Sequence, residues 1–487
     1  MFSSLGKNAF FYAIGTAGLR TASFVLIPIY TYSLAMDDYG LLAVLLQTAQ
    51  IMMIIMSVGS RTALVRFAKE YEDKNQIGIL LGTSTFINVA AAATVTIATL
   101  FLSPLFGDVL HTGHASSYLF LTCVAAAFNS LSIHLVTYYR AGQDGMKVTL
   151  ANLAGAASLI LLTMIFLRVL HLGVHGALLA QAIIYGLLTA FLFVTISSRI
   201  VMGVSLSLAW DLIRFGLPLI LVMAGGLIIQ TSGLYFVSYF RGLEEVGVYS
   251  LGAKMAQIAE MVLILPFVMA YEPFVYSHIG DLRLWTAISR LLTYLMMAFA
   301  FVACGIVFIA RGVLPIIAPP AYSSAYLVIF LTLPSLAFRG VYYIGESLLF
   351  IEKKTHLVGS VVTTFTVAGV ALNYVLIWRW GMYGAVAAFA LTTVCIGATV
   401  LKMGLGMSLV RIERKRLCVA ATLLFGFLAT VYALHNASDY VYYSVVPSSV
   451  CVGTLLLYAS SFIKEDERRA IQAFFGRARG LRSVLDI

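Results

Sequence analysis

The chain has 487 residues, of which 61% are hydrophobic and only 11% are charged, and its formal net charge is +10. Soluble globular proteins contain about 25% charged residues, so this chain has too little charge to cover soluble domains of its length. The composition excludes a soluble enzyme, a disordered protein and a secreted disulfide-rich protein, and it predicts a protein with many membrane spans.

Fourteen apolar segments, most of them close to the roughly 20 residues that cross a bilayer, predict the transmembrane helices. In chain order the predicted spans are 9–34, 39–60, 77–102, 117–139, 147–168, 174–197, 211–240, 246–271, 286–310, 323–350, 356–378, 382–407, 417–435 and 441–463. Their hydrophobicity on all sides favours helices over the alternating pattern of a membrane β-barrel. The expected fold class is an all-α polytopic membrane protein. The first apolar segment is too long for a cleavable signal peptide, so we interpret it as a retained span.

The basic residues orient the predicted bundle. If the N-terminus is cytoplasmic, 24 of the 31 basic residues fall in cytoplasmic connections or in the C-terminal tail. Four lie outside, namely Arg168, Arg241, Arg311 and Arg379, and three lie within spans. This asymmetry follows the positive-inside rule, so we expect an even number of spans with both termini cytoplasmic. The cytoplasmic bias of the basic residues also explains the positive net charge. Nucleic-acid binding is not needed to explain it, and the sequence contains no soluble basic domain for that function.

The connections between the spans are too short to form a catalytic or nucleotide-binding domain, and no GxxxxGKS/T phosphate-binding loop occurs. We therefore expect a transporter rather than an enzyme, with no catalytic residues, no ATPase activity, no cofactor and no metal site.

Two short matches at nearly one offset indicate an internal repeat. A shift of 207 residues places Gly40 on Gly247 and Ala49-Gln50-Ile51 on Ala256-Gln257-Ile258, and a shift of 208 places 173–177 on 381–385. An offset of six spans preserves orientation, which predicts parallel repeats about an axis along the membrane normal. The predicted units are two six-helix lobes and two extra helices followed by a basic amphipathic or disordered cytoplasmic tail. Their ranges are 1–205, 206–410, 411–463 and 464–487.

Three cations and two acids lie deep within the predicted spans, away from their ends, where an ionisable side chain is costly and usually faces the bundle interior. The cations are Arg20, Lys254 and Arg339, and the deepest acids are Glu260 and Glu346. An arginine can donate two parallel hydrogen bonds to a phosphate, so we consider the cations as substrate-binding candidates. The alternative for Arg339 and Glu346, which are seven residues apart on one helix face, is a structural pair.

Other polar side chains add to this candidate site. Arg61 and Arg66, at the end of span 2, are predicted to extend a basic entrance. Glutamine and tyrosine side chains in the same spans suit sugar hydroxyls, although hydrogen bonding between helices explains them as well. They are Gln47, Gln50, Gln230, Gln257, Tyr235, Tyr239, Tyr342 and Tyr343.

Several short motifs resemble the family of polysaccharide-transport flippases. They are Met36-Asp37-Asp38-Tyr39-Gly40-Leu41-Leu42, Gly59 followed by Val65-Arg66-Phe67, Val246-Gly247-Val248-Tyr249-Ser250-Leu251, Glu352-Lys353-Lys354-Thr355, Leu372-Asn373 and Gly381-Met382-Tyr383-Gly384-Ala385. The superfamily contains O-antigen (Wzx-type) flippases, the lipid II flippase and multidrug exporters.

The resemblance implies a two-lobed bundle in the bacterial plasma (inner) membrane. It implies that an oligosaccharide on a polyprenyl diphosphate crosses from the cytoplasmic to the outer leaflet for surface polysaccharide assembly. The cations would hold the diphosphate, the lipid tail would stay among the membrane lipids, and Glu260 or Glu346 would couple transport to a proton or sodium gradient. Partners would be a glycan polymerase and its chain-length machinery.

Three other functions remain open from the sequence, and one of them is a non-transporting scaffold protein. A multidrug or small-solute cation-coupled antiporter could use the same scaffold, although the cations in spans 1, 8 and 10 disfavour cationic drugs. A membrane enzyme such as a glycan polymerase or ligase needs larger external connections than this chain has.

Overall fold

The computed structural model describes residues 18, 22–73, 76–106, 114–141, 145–197, 200–201, 203–434, 437–438 and 440–448. Arg20, most of predicted span 14 and the predicted amphipathic tail lie outside these residues. Within them the chain folds into antiparallel helices and contains no strand.

The helices follow one another as α1 (Ala22–Ser33), α2 (Met36–Ser57), α3 (Ser60–Asp73), α4 (Ile77–Leu102), α5 (Ala115–Ala141), α6 (Gly145–Met164), α7 (Gly173–Ser197), α8 (Leu206–Arg241), α9 (Leu243–Ala256), α10 (Leu265–Ser277), α11 (Arg283–Ile317), α12 (Ala325–Ile351), α13 (Thr355–Trp380), α14 (Met382–Gly406), α15 (Arg414–Ala433) and α16 (440–448). A wide helical turn at Glu260–Ile264 lies between α9 and α10, and a second one, Ile165–Val169, extends α6.

The predicted all-α membrane fold is confirmed. Eleven helices of the described chain are long and apolar enough to cross a bilayer, and α9, the wide turn and α10 together count as one of them. The other three predicted spans fall on α1, α8 and α16.

The sequence prediction lacks α3, a helix of 14 residues between spans 2 and 3. Only one of its faces is apolar: Ala63 and Leu64 are buried against Leu80 and Leu135, whereas Arg66 is exposed. A search for runs of apolar residues passes over such an amphipathic helix.

Antiparallel helices give the bundle two ends, which we name the Gly40 end and the Arg61 end after the residues found there. Buried side chains from both halves of the chain form one core that reaches the Gly40 end, including Leu42 of α2 and Val246 of α9. Toward the Arg61 end the cores are separate. One contains Leu64 and Leu80, together with Leu208 from the first turn of α8, and the other belongs to the second half. The halves thus share one continuous core at the Gly40 end, whereas at the Arg61 end α8 of the second half packs against the first half through Leu208 and Gly216.

A reciprocal contact between α2 and α9 joins the halves. Gly40 faces the carbonyl oxygen of Leu243, and Gly247 faces the carbonyl oxygen of Met36. Positions 36 and 40 correspond to 243 and 247 under the shift of 207 residues, so each side makes the same contact as the other, as at a two-fold interface. A Cβ atom at Gly40 would collide with the backbone of Leu243, which explains the glycine. The division into lobes at 205/206 stays a prediction.

Candidate functional site

A narrow cleft between helices of the second half is lined by several polar side chains. It is lined by α8, α9, the wide turn, α12 and α14. Its polar lining consists of Gln230, Tyr249, Gln257, Glu260, Thr332 and Arg339. The cleft combines a cation, a carboxylate and several neutral hydrogen-bonding groups within a membrane-spanning bundle.

Arg339 and Glu260 form an ion pair in this cleft. One guanidinium nitrogen, Nη2 of Arg339, lies 3.2 Å from Oε1 of Glu260, and the two side chains are 30% and 13% exposed. Arg339 belongs to α12, while Glu260 is the first residue of the wide turn. The pair therefore connects two different spans and remains accessible from the cleft.

The wide turn has a local cause in the sequence. Pro266 lies at the start of α10 and has no N–H to donate to the carbonyl group one turn earlier. A helix can accommodate such a break with a wider turn, and these turns are frequent at functional sites. Here the wide turn carries Glu260 at its first position.

Glu346 does not pair with Arg339. Its carboxylate accepts a hydrogen bond of 2.6 Å from the hydroxyl of Tyr342, one helical turn earlier on α12. The adjacent Ser347 makes a 2.8 Å hydrogen bond with Tyr271 of α10. Glu346 thus belongs to a second cluster of polar side chains, which lies nearer the Arg61 end than Arg339 does.

Lys254 lies between the halves. Its Nζ is 5.8 Å from the centroid of the Tyr39 ring, so a side chain of α9 reaches over a side chain of α2. No acidic side chain of the described residues pairs with Lys254. The Tyr39 ring in turn packs edge to face against Tyr322, with centroids 5.8 Å apart.

Arg61 and Arg66 lie on α3, apart from the cleft. Val58 and Gly59 adopt left-handed backbone angles (φ 46° and 66°) and separate α3 from α2. Gly59 packs directly against Gly216 of α8. The guanidinium of Arg66 is exposed and stands 5.8 Å from the centroid of the Phe67 ring. These two arginines therefore mark the Arg61 end rather than the cleft.

The sequence interpretation missed two polar residues. Thr48 of α2 makes a 2.8 Å hydrogen bond with the hydroxyl of Tyr235 of α8, which joins the halves. Thr332 lines the cleft two turns before Arg339. A lone threonine in an apolar span gives no periodic or charge signal, so only the fold identifies it.

The described residues contain no group of three or more histidine, cysteine, aspartate or glutamate side chains arranged to hold a metal ion. The cleft thus offers one guanidinium group, paired with a carboxylate, together with the hydrogen-bonding groups of its glutamine, threonine and tyrosine side chains.

Comparison with known proteins gives a family and a fold. Residues 5–275 match the sequence profile of the polysaccharide biosynthesis protein family. No curated protein sequence matches the chain significantly.

Three solved structures show the fold. The lipid II flippase MurJ in an inward closed conformation is 13% identical, and the match covers 93% of this chain and 99% of that chain with a TM-score of 0.69. An inward-facing multidrug resistance MATE family transporter is 17% identical, with coverage of 84% and 99% and a TM-score of 0.64. A MOP superfamily transporter from Pyrococcus furiosus is 16% identical, with coverage of 86% and 96% and a TM-score of 0.58.

Proposed function

Because the chain belongs to the polysaccharide biosynthesis protein family, we propose that it is a flippase for a polyprenyl-diphosphate-linked oligosaccharide. It moves this lipid from the cytoplasmic to the outer leaflet by alternating access, for O-antigen, capsule or exopolysaccharide assembly. The observation that carries the proposal is the ion pair of Arg339 and Glu260 in a membrane-embedded cleft.

Arg339 is the proposed diphosphate ligand. Its planar guanidinium can donate two parallel hydrogen bonds to phosphate oxygens. Glu260 occupies the guanidinium while no substrate is bound, so the diphosphate and the carboxylate compete for one cation. The glutamine and tyrosine side chains of the cleft then have sugar hydroxyls as partners.

The same competition couples transport to a cation gradient. When a proton or a sodium ion neutralises Glu260, Arg339 loses its internal partner and becomes available to the diphosphate. Glu346, which is already hydrogen-bonded to Tyr342, is the second candidate for this coupling.

The position of the shared core supports the proposed alternating access. We assign the Arg61 end to the cytoplasm, because the basic connections follow the positive-inside rule. With the core continuous at the Gly40 end, the protein is then closed to the outside. Outward opening requires separation of Gly40 from Leu243 and of Tyr39 from Tyr322.

The remaining candidate cations act along the route of the substrate. Arg61 and Arg66 attract the diphosphate at the cytoplasmic entrance, and Lys254 holds it between the halves. Arg20, which lies outside the described residues, stays a substrate-binding candidate from the sequence. The lipid tail stays in the plasma (inner) membrane, whose cytoplasmic side holds both termini. A glycan polymerase with its chain-length machinery receives the product outside.

Surface glycan in a deletion strain tests this function. Complementation with Arg339→Ala is expected to leave the surface glycan absent, whereas Arg339→Lys retains part of it because the charge remains. Arg379→Ala is the matched control, since this exposed arginine lies at the Gly40 end outside the cleft. Normal glycan with Arg339→Ala at normal expression contradicts the assignment. Export of a cationic dye, with no effect of deletion on the glycan, favours the antiporter instead.

A further inference from the structure

A groove separate from the cleft lies between four helices of the second half. Its apolar wall includes Met296 of α11, Phe338 of α12, Leu401 of α14 and Leu417 of α15, and its volume is about 350 Å³. Among its lining residues only Lys402 is charged, and this side chain is exposed. The groove is therefore an apolar slot with a single cation.

The groove runs along the helices, within the membrane. Lys402 lies four residues before the end of α14, and Phe338 lies thirteen residues before the end of α12. At a rise of about 1.5 Å per residue, these positions are about 6 Å and about 20 Å from the Arg61 end. An elongated apolar slot at this depth matches a hydrocarbon chain rather than a water-soluble molecule.

The mouth of the groove is strongly basic. The connection from α14 to α15 adds the exposed side chain of Arg411 to that of Lys402, and the first turn of α15 adds those of Arg414 and Lys415. Ser289 of α11 donates a 2.6 Å hydrogen bond to the carbonyl oxygen of Arg411, which holds this connection beside the groove. The nearby acid Glu413 is paired at 2.6 Å with Arg416, which is not one of these four exposed cations.

We propose that this groove binds one anionic phospholipid of the bilayer. One acyl chain lies along Phe338 and Leu401, and the phosphate lies between Lys402 and the basic connection. Basic pockets between membrane helices on the cytoplasmic side bind anionic head groups in this way.

The occupant is a bilayer phospholipid rather than the transported lipid, because α12 separates the groove from the cleft. Phe338 lines the groove and Arg339, the next residue, lines the cleft. Consecutive residues point about 100° apart on a helix. The phospholipid therefore packs against the wall of the cleft without entering it.

Native mass spectrometry of the full chain tests the proposal. The purified protein is incubated with phosphatidylglycerol and phosphatidylcholine of identical acyl chains. Wild type is expected to retain phosphatidylglycerol preferentially, and Lys402→Gln reduces the ratio of the two bound lipids by about fivefold, as for one basic residue near an anionic surface. The matched control is Lys353→Gln, an exposed lysine at the same end in the connection from α12 to α13.

A second variant tests the acyl-chain slot. Ala398 lines the groove with an exposed small side chain, so Ala398→Phe fills the groove without disturbing the core. This variant is expected to retain less of both lipids than wild type. The proposal is overturned if Lys402→Gln binds the two lipids in the same ratio as wild type. It is also overturned if Ala398→Phe retains as much of both lipids as wild type. Displacement of bound phosphatidylglycerol by polyprenyl phosphate in wild type but not in Ala398→Phe assigns the groove to the transported lipid and also overturns it.

Discussion

At the scale of single residues, the ion pair of Arg339 and Glu260 decides the chemistry of the cleft. A charge in a membrane span needs a counter-charge or water, and these two residues supply each other with one across two helices. An anionic substrate that binds Arg339 must replace this internal partner. In the proposed function, Glu260 therefore neutralises Arg339 while the site is empty, and the substrate neutralises the same arginine when the site is occupied.

Replacing Glu260 by glutamine separates these two roles. Glu260→Gln keeps the shape but leaves Arg339 without its counter-charge, so we expect a loss of about 1–2 kcal/mol in the free energy of unfolding. Removing one partner of a fully buried ion pair costs about 3–5 kcal/mol. We expect a smaller loss here because Arg339 is 30% exposed. A polyprenyl diphosphate should then stabilise Glu260→Gln more than wild type, since it no longer competes with a carboxylate.

Thermal unfolding in detergent, with and without polyprenyl diphosphate, measures both effects. Glu346→Gln is the control, because Glu346 bonds to Tyr342 and not to Arg339. An equal stabilisation by the ligand in wild type and in Glu260→Gln contradicts the competition.

The sequence indicated which residues are charged within the spans, but it could not indicate which of them meet. Arg339 and Glu346 are two turns apart on one face, which is about 10 Å along the helix axis. That separation is too long for a direct bond, and the partner of Arg339 comes from another span. A contact between α12 and the wide turn depends on helix packing, which the pattern of one helix does not specify.

At the scale of helices, the sequence predicted the spans well because a bilayer imposes a long apolar run on each of them. The predicted range 77–102 coincides with α4. The prediction lacked α3, whose apolar face is narrow, and the wide turn, which depends on how the helix accommodates Pro266.

The contact between α2 and α9 gives a test at this scale. Gly40→Ala places a Cβ atom against the backbone of Leu243, so we expect a loss of about 1–3 kcal/mol in stability. Gly359→Ala is the matched control, because Gly359 of α13 has open space around it. This control should be neutral or stabilising by up to about 1 kcal/mol, since alanine favours helices. Thermal unfolding of both variants provides the comparison, and equal stability of the two contradicts the close approach.

At the scale of the whole molecule, the two halves share one core at the Gly40 end, whereas toward the Arg61 end the cores are separate and α8 packs against the first half. The distribution of basic residues predicts which end faces the cytoplasm, and the internal repeat aligns Gly40 with Gly247. The contact of these two positions with each other's helix is known only from the structure. Neither pattern predicts which end is closed, because the proposed alternating access would close each end in turn.

A cross-link at the Gly40 end tests whether this closure must open. The hydroxyl of Thr31 in α1 donates to the carbonyl oxygen of Ile317 in α11, so cysteines at these two positions come within reach of each other. In a chain whose five natural cysteines are replaced, oxidation of Thr31→Cys/Ile317→Cys should stop transport, and reduction should restore it. Either single variant is the control. Full transport by the cross-linked protein rules out an opening at this end.

The most direct test of the proposed function is translocation by the purified protein. Proteoliposomes would contain a fluorescent polyprenyl-diphosphate oligosaccharide, and a membrane-impermeant quencher would report the fraction in the outer leaflet. We expect wild type and Arg379→Ala to make the whole lipid pool accessible, whereas Arg339→Ala leaves the inner fraction protected. If wild type protects the same fraction as empty vesicles, or if Arg339→Ala translocates the lipid as fast as wild type, a flippase that holds the diphosphate at Arg339 is contradicted.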